Sequence, residues 1–181
     1  IETNHRVLEV YTQPPQKRNR GQKMHNSPIH DFSKKLDIPI NCPSNFDKNE
    51  VDHIKKLKPD LVIVVAYGKI LPTDLLNLDK ILFINVHASL LPKWRGAAPM
   101  QRAIMNMDQE TGISIMKIVP KLDAGPILIQ SKIKITQEIN YQELSNKMSE
   151  LGAKLILDTI KLIKNNKVNF IEQNEAEATY A

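Results

Sequence analysis

The chain places an amide and an imidazole two residues apart, Asn85 and His87, at the end of the apolar run I-L-F-I-N-V. In an extended strand, side chains i and i+2 leave the same face, roughly 6.5 Å apart along it. An Asn so placed can donate to a carbonyl oxygen as it becomes an oxyanion. A His can exchange protons with an attacking or leaving nitrogen, so the pair suits acyl transfer. A carboxylate is the expected third member, because it would favour the imidazolium and orient the ring. Asp123, in the turn L-D-A-G-P, is the candidate. The same pair also fits capping or turn chemistry, and the residue types alone leave both readings open.

Other chemistries find less support. The six glycines form neither G-x-G-x-x-G nor a P-loop, which disfavours a dinucleotide or nucleoside triphosphate. Ser89 lies near His87, but no G-x-S-x-G elbow surrounds it; a hydrolase built on Ser89, His87 and Asp123 is the minor option, and turn organisation is the expected role of Ser89. The single cysteine, Cys42, cannot form an internal disulfide, and the five histidines supply no metal-ligand spacing, so no metal is expected. Trp94, in the loop Lys93-Trp94-Arg95 framed by Pro92 and Gly96, is either a stacking platform or a partly buried anchor.

These residues need a scaffold. Residues 6–11 read as a strand, and 61–66 and 81–86 as continuous apolar runs of the kind covered on both faces of a sheet. Ser27 before Pro28 predicts a capped helix over 28–36, and Val51, Ile54 and Leu57 mark a second over 48–57. The alternation predicts an α/β fold with a doubly wound, mostly parallel sheet. Residues 113–119 and 127–135, joined through Asp123-Ala124-Gly125, predict an added antiparallel hairpin. A long helix over about 140–164 carries Leu144, Met148, Leu151 and Leu155 as its buried stripe. In such sheets ligands bind at the carboxyl ends of strands, here Ala66-Tyr67-Gly68 and the segment from Asn85 to Pro92. Residues 12–27 read as one long polar, Pro-containing loop.

The 181 residues suffice for about one domain, with 41% hydrophobic and 25% charged residues, which excludes a disordered or fibrous chain. No apolar run approaches the ~20 residues that span a bilayer, and no signal peptide is evident. A cytoplasmic location without a membrane partner, and a monomer, are expected. The net charge of +5 hints at nucleic acid, but Lys, Ile and Asn make up 57 of 181 residues, a bias that inflates Lys regardless of function. Placement says more. Lys17, Arg18, Arg20, Lys23, Lys34 and Lys35 face only Asp31 within 17–35, so that stretch holds the whole net charge. It reads either as a solvated loop or as a phosphate-contacting one, and the lack of aromatics in 12–31 favours backbone over base contact.

The segments N-V-H-A-S-L-L-P-K-W-R-G-A-A-P-M-Q (85–101), T-G-I-S-I-M (111–116), L-D-A-G-P-I-L (122–128), V-V-A-Y-G-K-I-L-P (64–72) and V-Y-T-Q-P (10–14) together closely resemble the methionyl-tRNA formyltransferase family. The N-x-H-x-S-L-L-P core is similar to that of all enzymes using 10-formyltetrahydrofolate; W-R-G-A-A-P-x-Q points to the tRNA-directed branch. The resemblance implies a Rossmann-like formyltransferase fold and transfer of a formyl group from 10-formyltetrahydrofolate, as co-substrate, to the α-amino group of methionyl initiator tRNA. It implies Asn85, His87 and Asp123 as catalytic residues. It also implies Ser89, Leu90, Leu91, Pro92, Ala66, Tyr67 and Gly68 at the folate, and Arg18, Arg20 and Lys23 at the tRNA.

The family pattern also has a first strand with a G-T-P-x-F turn and a C-terminal β-barrel domain, neither found in these residues. The expectation is therefore a transferase domain over 1–165 without its first strand, followed by a linker over 166–181. Two other readings stand beside the leading one: a different formyl-folate-dependent transferase or hydrolase, acting on a sugar nucleotide or on formyl-folate, and a non-catalytic tRNA-binding remnant.

Overall fold

The computed structural model describes residues 5–18, 22–136 and 138–181. Two compact units divide the chain, one of Ile1–Asp60 with Asn77–Asp79, the other of Leu61–Leu76 with Lys80–Ala181.

In the first unit, β1 (Val10–Tyr11) pairs in parallel with β4 (Ile40–Asn41), while β2 (Gln16–Arg18) and β3 (Lys23–His25) form a separate antiparallel ribbon. Helices α1 (Pro28–Lys35) and α2 (Lys48–Leu57) begin where the sequence signals them. The Ser27 hydroxyl accepts from the His30 N–H at 3.1 Å, and the Asp47 carboxylate accepts from the Asn49 and Glu50 N–H groups at 2.8 and 3.2 Å, which satisfies donors that a helix start leaves unpaired. Ser27 Oγ also bonds Thr12 Oγ1 at 2.6 Å, closing the base of the segment that carries the ribbon.

Two expectations are corrected here. The strand expected over 6–11 is only two residues long. The long loop over 12–27 contains β2 and β3, paired Gln16↔His25, Lys17↔Met24 and Arg18↔Lys23. Residues 23–25 are all exposed, so this pairing comes from backbone hydrogen bonds and leaves no period-2 apolar pattern to read.

The second unit holds a four-stranded sheet in the order β5 (Leu61–Val65), β6 (Leu82–His87), β7 (Glu110–Lys117), β8 (Ile127–Lys134). β5 and β6 run parallel, and the β7–β8 hairpin is added antiparallel to β6. The α/β class with parallel strands and an antiparallel hairpin therefore holds. Short helices α3 (Thr73–Leu76) and α4 (Pro99–Met105) precede and follow β6 in the chain, α4 packs on α5 and β7, and α5 (Tyr141–Lys164) lies against β7 and β8.

The core is Ile84, Ile113, Ile115, Ile139, Leu144, Met148 and Leu155. Gly152 lets α5 approach the sheet, since a Cβ there would sit 3.3 Å from Val86 Cγ1. Central β6 is covered as expected, but Ile63 and Val65 of β5 are 38% and 61% exposed. β5 is the edge of this sheet, and an unbroken apolar run does not distinguish an edge strand from a central one.

Candidate active site

The carboxyl end of β6 assembles the expected three side chains. Register pairs Asn85 with Val64 of β5 and with Met116 of β7, and His87 with Ser114, so the polar pair emerges between two strands rather than at a free edge. Asp123 arrives from the β7–β8 connection. Its Oδ2 lies 3.6 Å from His87 Nδ1, its Oδ1 accepts from Asn85 Nδ2 at 3.4 Å, and Oδ2 accepts from the Gly96 N–H at 2.9 Å. Three residues spread over 85–123 thus share one volume.

His87 is 5% exposed, and its Nε2–H donates to the Trp94 carbonyl at 2.8 Å. A carbonyl can only accept, so the proton sits on Nε2 and the proton-exchanging nitrogen is Nδ1, the one that faces Asp123. Asn85 still has a second amide hydrogen for an oxygen of a bound substrate.

The turn after His87 is held from inside. Ser89, fully buried, donates its hydroxyl to the Lys93 carbonyl at 2.5 Å. Ser114 Oγ donates to the Ser89 carbonyl at 2.6 Å and accepts from the Leu91 N–H at 3.0 Å; Gln130 Nε2 reaches both the Leu91 carbonyl and Ser114 Oγ, at 2.9 and 2.8 Å. Ser89 organises this turn, as expected. Ser114 and Gln130 were not anticipated, although each is a polar residue interrupting an apolar strand, I-S-I-M and I-L-I-Q.

The 92–96 loop is fixed from outside. Asp108 accepts from Lys93 Nζ and from Trp94 Nε1, both at 2.7 Å, and Lys93 Nζ sits 5.5 Å from the centre of the indole. Burial alone would raise the Asp108 carboxyl, but hydrogen bonds from Lys93, Trp94 and Asn106 outweigh it and hold the group below the usual range. Trp94 is thus a half-buried anchor, not a stacking platform.

Arg95 is fully buried; its guanidinium grips Glu175 at 2.9 and 3.2 Å and Gln173 Oε1 at 2.8 and 3.1 Å. Hydrogen bonds from Arg95 and Lys121 hold the Glu175 carboxyl at about 2. Residues 171–181, a polar stretch that reads as a linker, run along this loop. Ile171 exchanges two 2.8 Å backbone bonds with Ile127, and Arg95 bonds Thr179 and Ala181 through its backbone.

Three residues at this site take a left-handed backbone conformation. Ala66, Trp94 and Asp123 all have positive φ, at 45°, 60° and 45°, a region that non-glycine residues seldom enter and that clusters at functional sites. Gly96, at φ 114°, is where a side chain would be strained, and its N–H is the donor to Asp123. Ala66-Tyr67-Gly68 follow β5 directly, beside the His87 end of β6; Ile70 nearby is 88% exposed. A cavity of about 660 Å³ beside this turn is lined by Leu90 to Lys93, Gln130 and Thr179; Asn85, His87 and Asp123 are not among its lining residues.

Of the basic residues, Arg18 and Lys23 face each other as a rung of the β2–β3 ribbon in the other unit, and Arg20 lies outside the described residues. Among the described residues no group of His, Cys, Asp or Glu could hold a metal ion, and no helix is long and apolar enough to cross a membrane.

Sequence comparison matches residues 2–160 to the family described as "Formyl transferase". A methionyl-tRNA formyltransferase of Pelagibacter ubique (strain HTCC1062) is 50% identical over 99% of this chain and 59% of its own length. One from Sulfurihydrogenibium sp. (strain YO3AOP1) is 43% identical over 100% of this chain and 59% of its own. The chain thus spans about three-fifths of the length of the curated relatives it matches. Among solved structures, phosphoribosylglycinamide formyltransferase from Streptococcus pneumoniae TIGR4 superposes with a TM-score of 0.72 at 18% identity, over 87% of this chain and 86% of that one. An N-formyltransferase from Helicobacter canadensis, crystallised with folinic acid and dTDP-3-aminofucose, gives 0.72 at 22%, over 92% and 58%. These two likenesses concern the fold.

Proposed function

The chain belongs to the formyl transferase family, and from that premise we propose that it carries the reacting centre of a methionyl-tRNA formyltransferase, moving a formyl group from 10-formyltetrahydrofolate to the amino group of methionyl initiator tRNA. The observation that carries this reading is the meeting of Asn85, His87 and Asp123, with the His87 ring fixed by the Trp94 carbonyl so that Nδ1 exchanges protons.

The chemistry follows from that geometry. The uncharged methionyl amine attacks the formyl carbon, and the carbonyl oxygen becomes an oxyanion. Asn85 donates its free amide hydrogen to that oxygen, and the protonated ring adds a second donor. As the bond from carbon to the folate nitrogen breaks, protonated His87 Nδ1 gives its proton to the departing nitrogen and then takes the proton that the former amine must lose, so charge and protons balance and the ring ends as it began. Asp123 keeps the ring aligned and its positive charge tolerable.

In this reading the folate lies along Ala66, Tyr67 and Gly68, where Ala66 and Gly68 are exposed and take positive φ beside exposed Ile70, a surface with room for a flat ring. Leu90 and Pro92 border it, while buried Ser89 and Leu91 shape the floor. Arg18 and Lys23, a rung of the β2–β3 ribbon, supply the tRNA contact in this reading, together with Arg20.

The test is direct. The protein is incubated with 10-formyltetrahydrofolate and charged initiator tRNA, with free methionine and an amino-sugar nucleotide as rival acceptors. Formylation of the tRNA alone is expected; formylation of the sugar nucleotide instead would move the chain to a different branch of the family.

A further inference from the structure

The grip on Asp123 comes from two sides, and only one of them is the reacting cluster. Its carboxylate meets Asn85, His87 and the Gly96 N–H. Its backbone carbonyl accepts from Gln173 Nε2 at 2.9 Å, and the Gly125 carbonyl accepts from the same nitrogen at 2.7 Å. On the other side of that amide, Gln173 Oε1 accepts two hydrogen bonds from Arg95. The Gln173 side chain therefore fills its whole capacity, two donated and two accepted bonds.

Those contacts close a ring. Asp123 Oδ2 takes the Gly96 N–H, Gly96 follows Arg95, the Arg95 guanidinium holds Gln173, and Gln173 returns to the carbonyl of Asp123. One residue is thus fixed at its carboxylate and at its backbone through the same loop. Asp123 sits at φ 45°, a conformation that persists in a non-glycine residue only where the surroundings determine it. A bond to the carbonyl of that very residue is such a determinant.

We propose that Gln173 is a positioning residue for Asp123, so that residues 171–181 complete the reacting centre rather than trail away from it. The proposal rests on the formyl-transfer reading above. Gln173 is delivered by contacts independent of its own side chain: Ile171 pairs with Ile127 on one flank, and Thr179 and Ala181 bond Arg95 backbone on the other. Glu175 adds a bidentate hold on Arg95 and is itself capped by Lys121 Nζ at 2.6 Å. The guanidinium is therefore pinned before Gln173 is counted.

Gln173→Glu isolates the claim. It keeps an acceptor for Arg95 but points a second oxygen at the carbonyls of Asp123 and Gly125, which repel it. Gln173→Met removes all four bonds without adding charge, and serves if the first variant does not fold. Two readouts are taken on the whole chain. The first is steady-state formyl transfer: kcat is expected to fall about tenfold to a hundredfold with KM for the folate nearly unchanged, the signature of a misplaced group. The second is the ¹⁵N chemical shift of His87 Nδ1, which reports the Asp123 contact whether or not the protein transfers formyl groups; a shift is expected in either variant, with core methyl signals of Ile84 and Ile115 unmoved.

An inactive wild-type chain would defeat the formyl-transfer reading, and the ¹⁵N measurement would still decide the role of Gln173. Unchanged His87 signals in a folded variant overturn the proposal, as does a lower melting temperature with wild-type kcat.

Discussion

The 92–96 loop and the β2–β3 ribbon are both short, basic and polar, yet they are organised in opposite ways. In the loop every charge has an assigned partner: Lys93 lies on Asp108, and Arg95 on Glu175 and Gln173. In the ribbon Lys17 and Lys23 are exposed, and no ion pair reaches them among the described residues. Charges that are already paired can hold a reacting geometry but have nothing left for a ligand, whereas exposed lysines can neutralise phosphates but orient nothing. Basic residues close in sequence type thus divide into positioning and attraction, and the division is visible only in what surrounds them.

The strongest way to break this contrast is at the reacting centre. His87→Ala is expected to lower formyl transfer by ~10² to 10⁴ and Asn85→Ala by ~10² to 10³, with folate binding kept in equilibrium titrations. Near wild-type turnover in His87→Ala would falsify the assignment. Next in size is Ser114→Ala, which strands the Ser89 carbonyl and the Leu91 N–H at a fully buried site and leaves Gln130 only its bond to the Leu91 carbonyl. A loss of about 1–3 kcal/mol in urea unfolding is expected.

The ribbon should behave otherwise. The double change Lys17→Ala and Lys23→Ala is expected to leave unfolding within about 0.5 kcal/mol of wild type. It should also flatten the dependence of log K for tRNA on log salt, by roughly 0.7 to 0.9 for each phosphate contact removed. An unchanged slope would remove the ribbon from the RNA-binding account.

The smallest effect is in acid. The fold holds the Glu175 carboxyl at about 2 against an ordinary 4.5, so the folded chain binds fewer protons than the unfolded one across that window. Its contribution is complete above pH 4.5 and is lost as pH falls toward 2; Glu175→Gln should therefore lower the melting point at neutral pH, where the contribution is fully present, and remove that part of the acid dependence, so that variant and wild type converge toward pH 2. Because Glu175 is about half exposed, solvent screening keeps the effect modest.

Much of the fold was legible because local rules wrote it. Ser27-Pro28 and the Val51, Ile54, Leu57 spacing mark α1 and α2, and the turn at Asp123-Ala124-Gly125 marks the β7–β8 hairpin. The Asn85 and His87 pair was legible too, since a strand's period puts both on one face. What escaped did so for three reasons. The β2–β3 ribbon is held by backbone groups, which carry no residue signature. The 171–181 stretch binds through Gln173, Glu175 and Thr179 to partners about fifty to eighty-five positions away, and an isolated polar run looks the same whether its bonds go to water or to a buried guanidinium. The exposed face of β5 escaped for a third reason, that hydrophobicity records affinity for cover and not its presence.

One contact bears on how this centre withstands genetic drift. The partner that fixes the His87 ring is the carbonyl of residue 94, which every amino acid possesses. Replacing Trp94 would release Asp108 and the Lys93 contact, but it would not delete the acceptor. Asn, abundant in this chain, is among the residues that enter the left-handed conformation held at this position. The orientation of the imidazole is stored in the path of the main chain, where point substitutions reach it only indirectly.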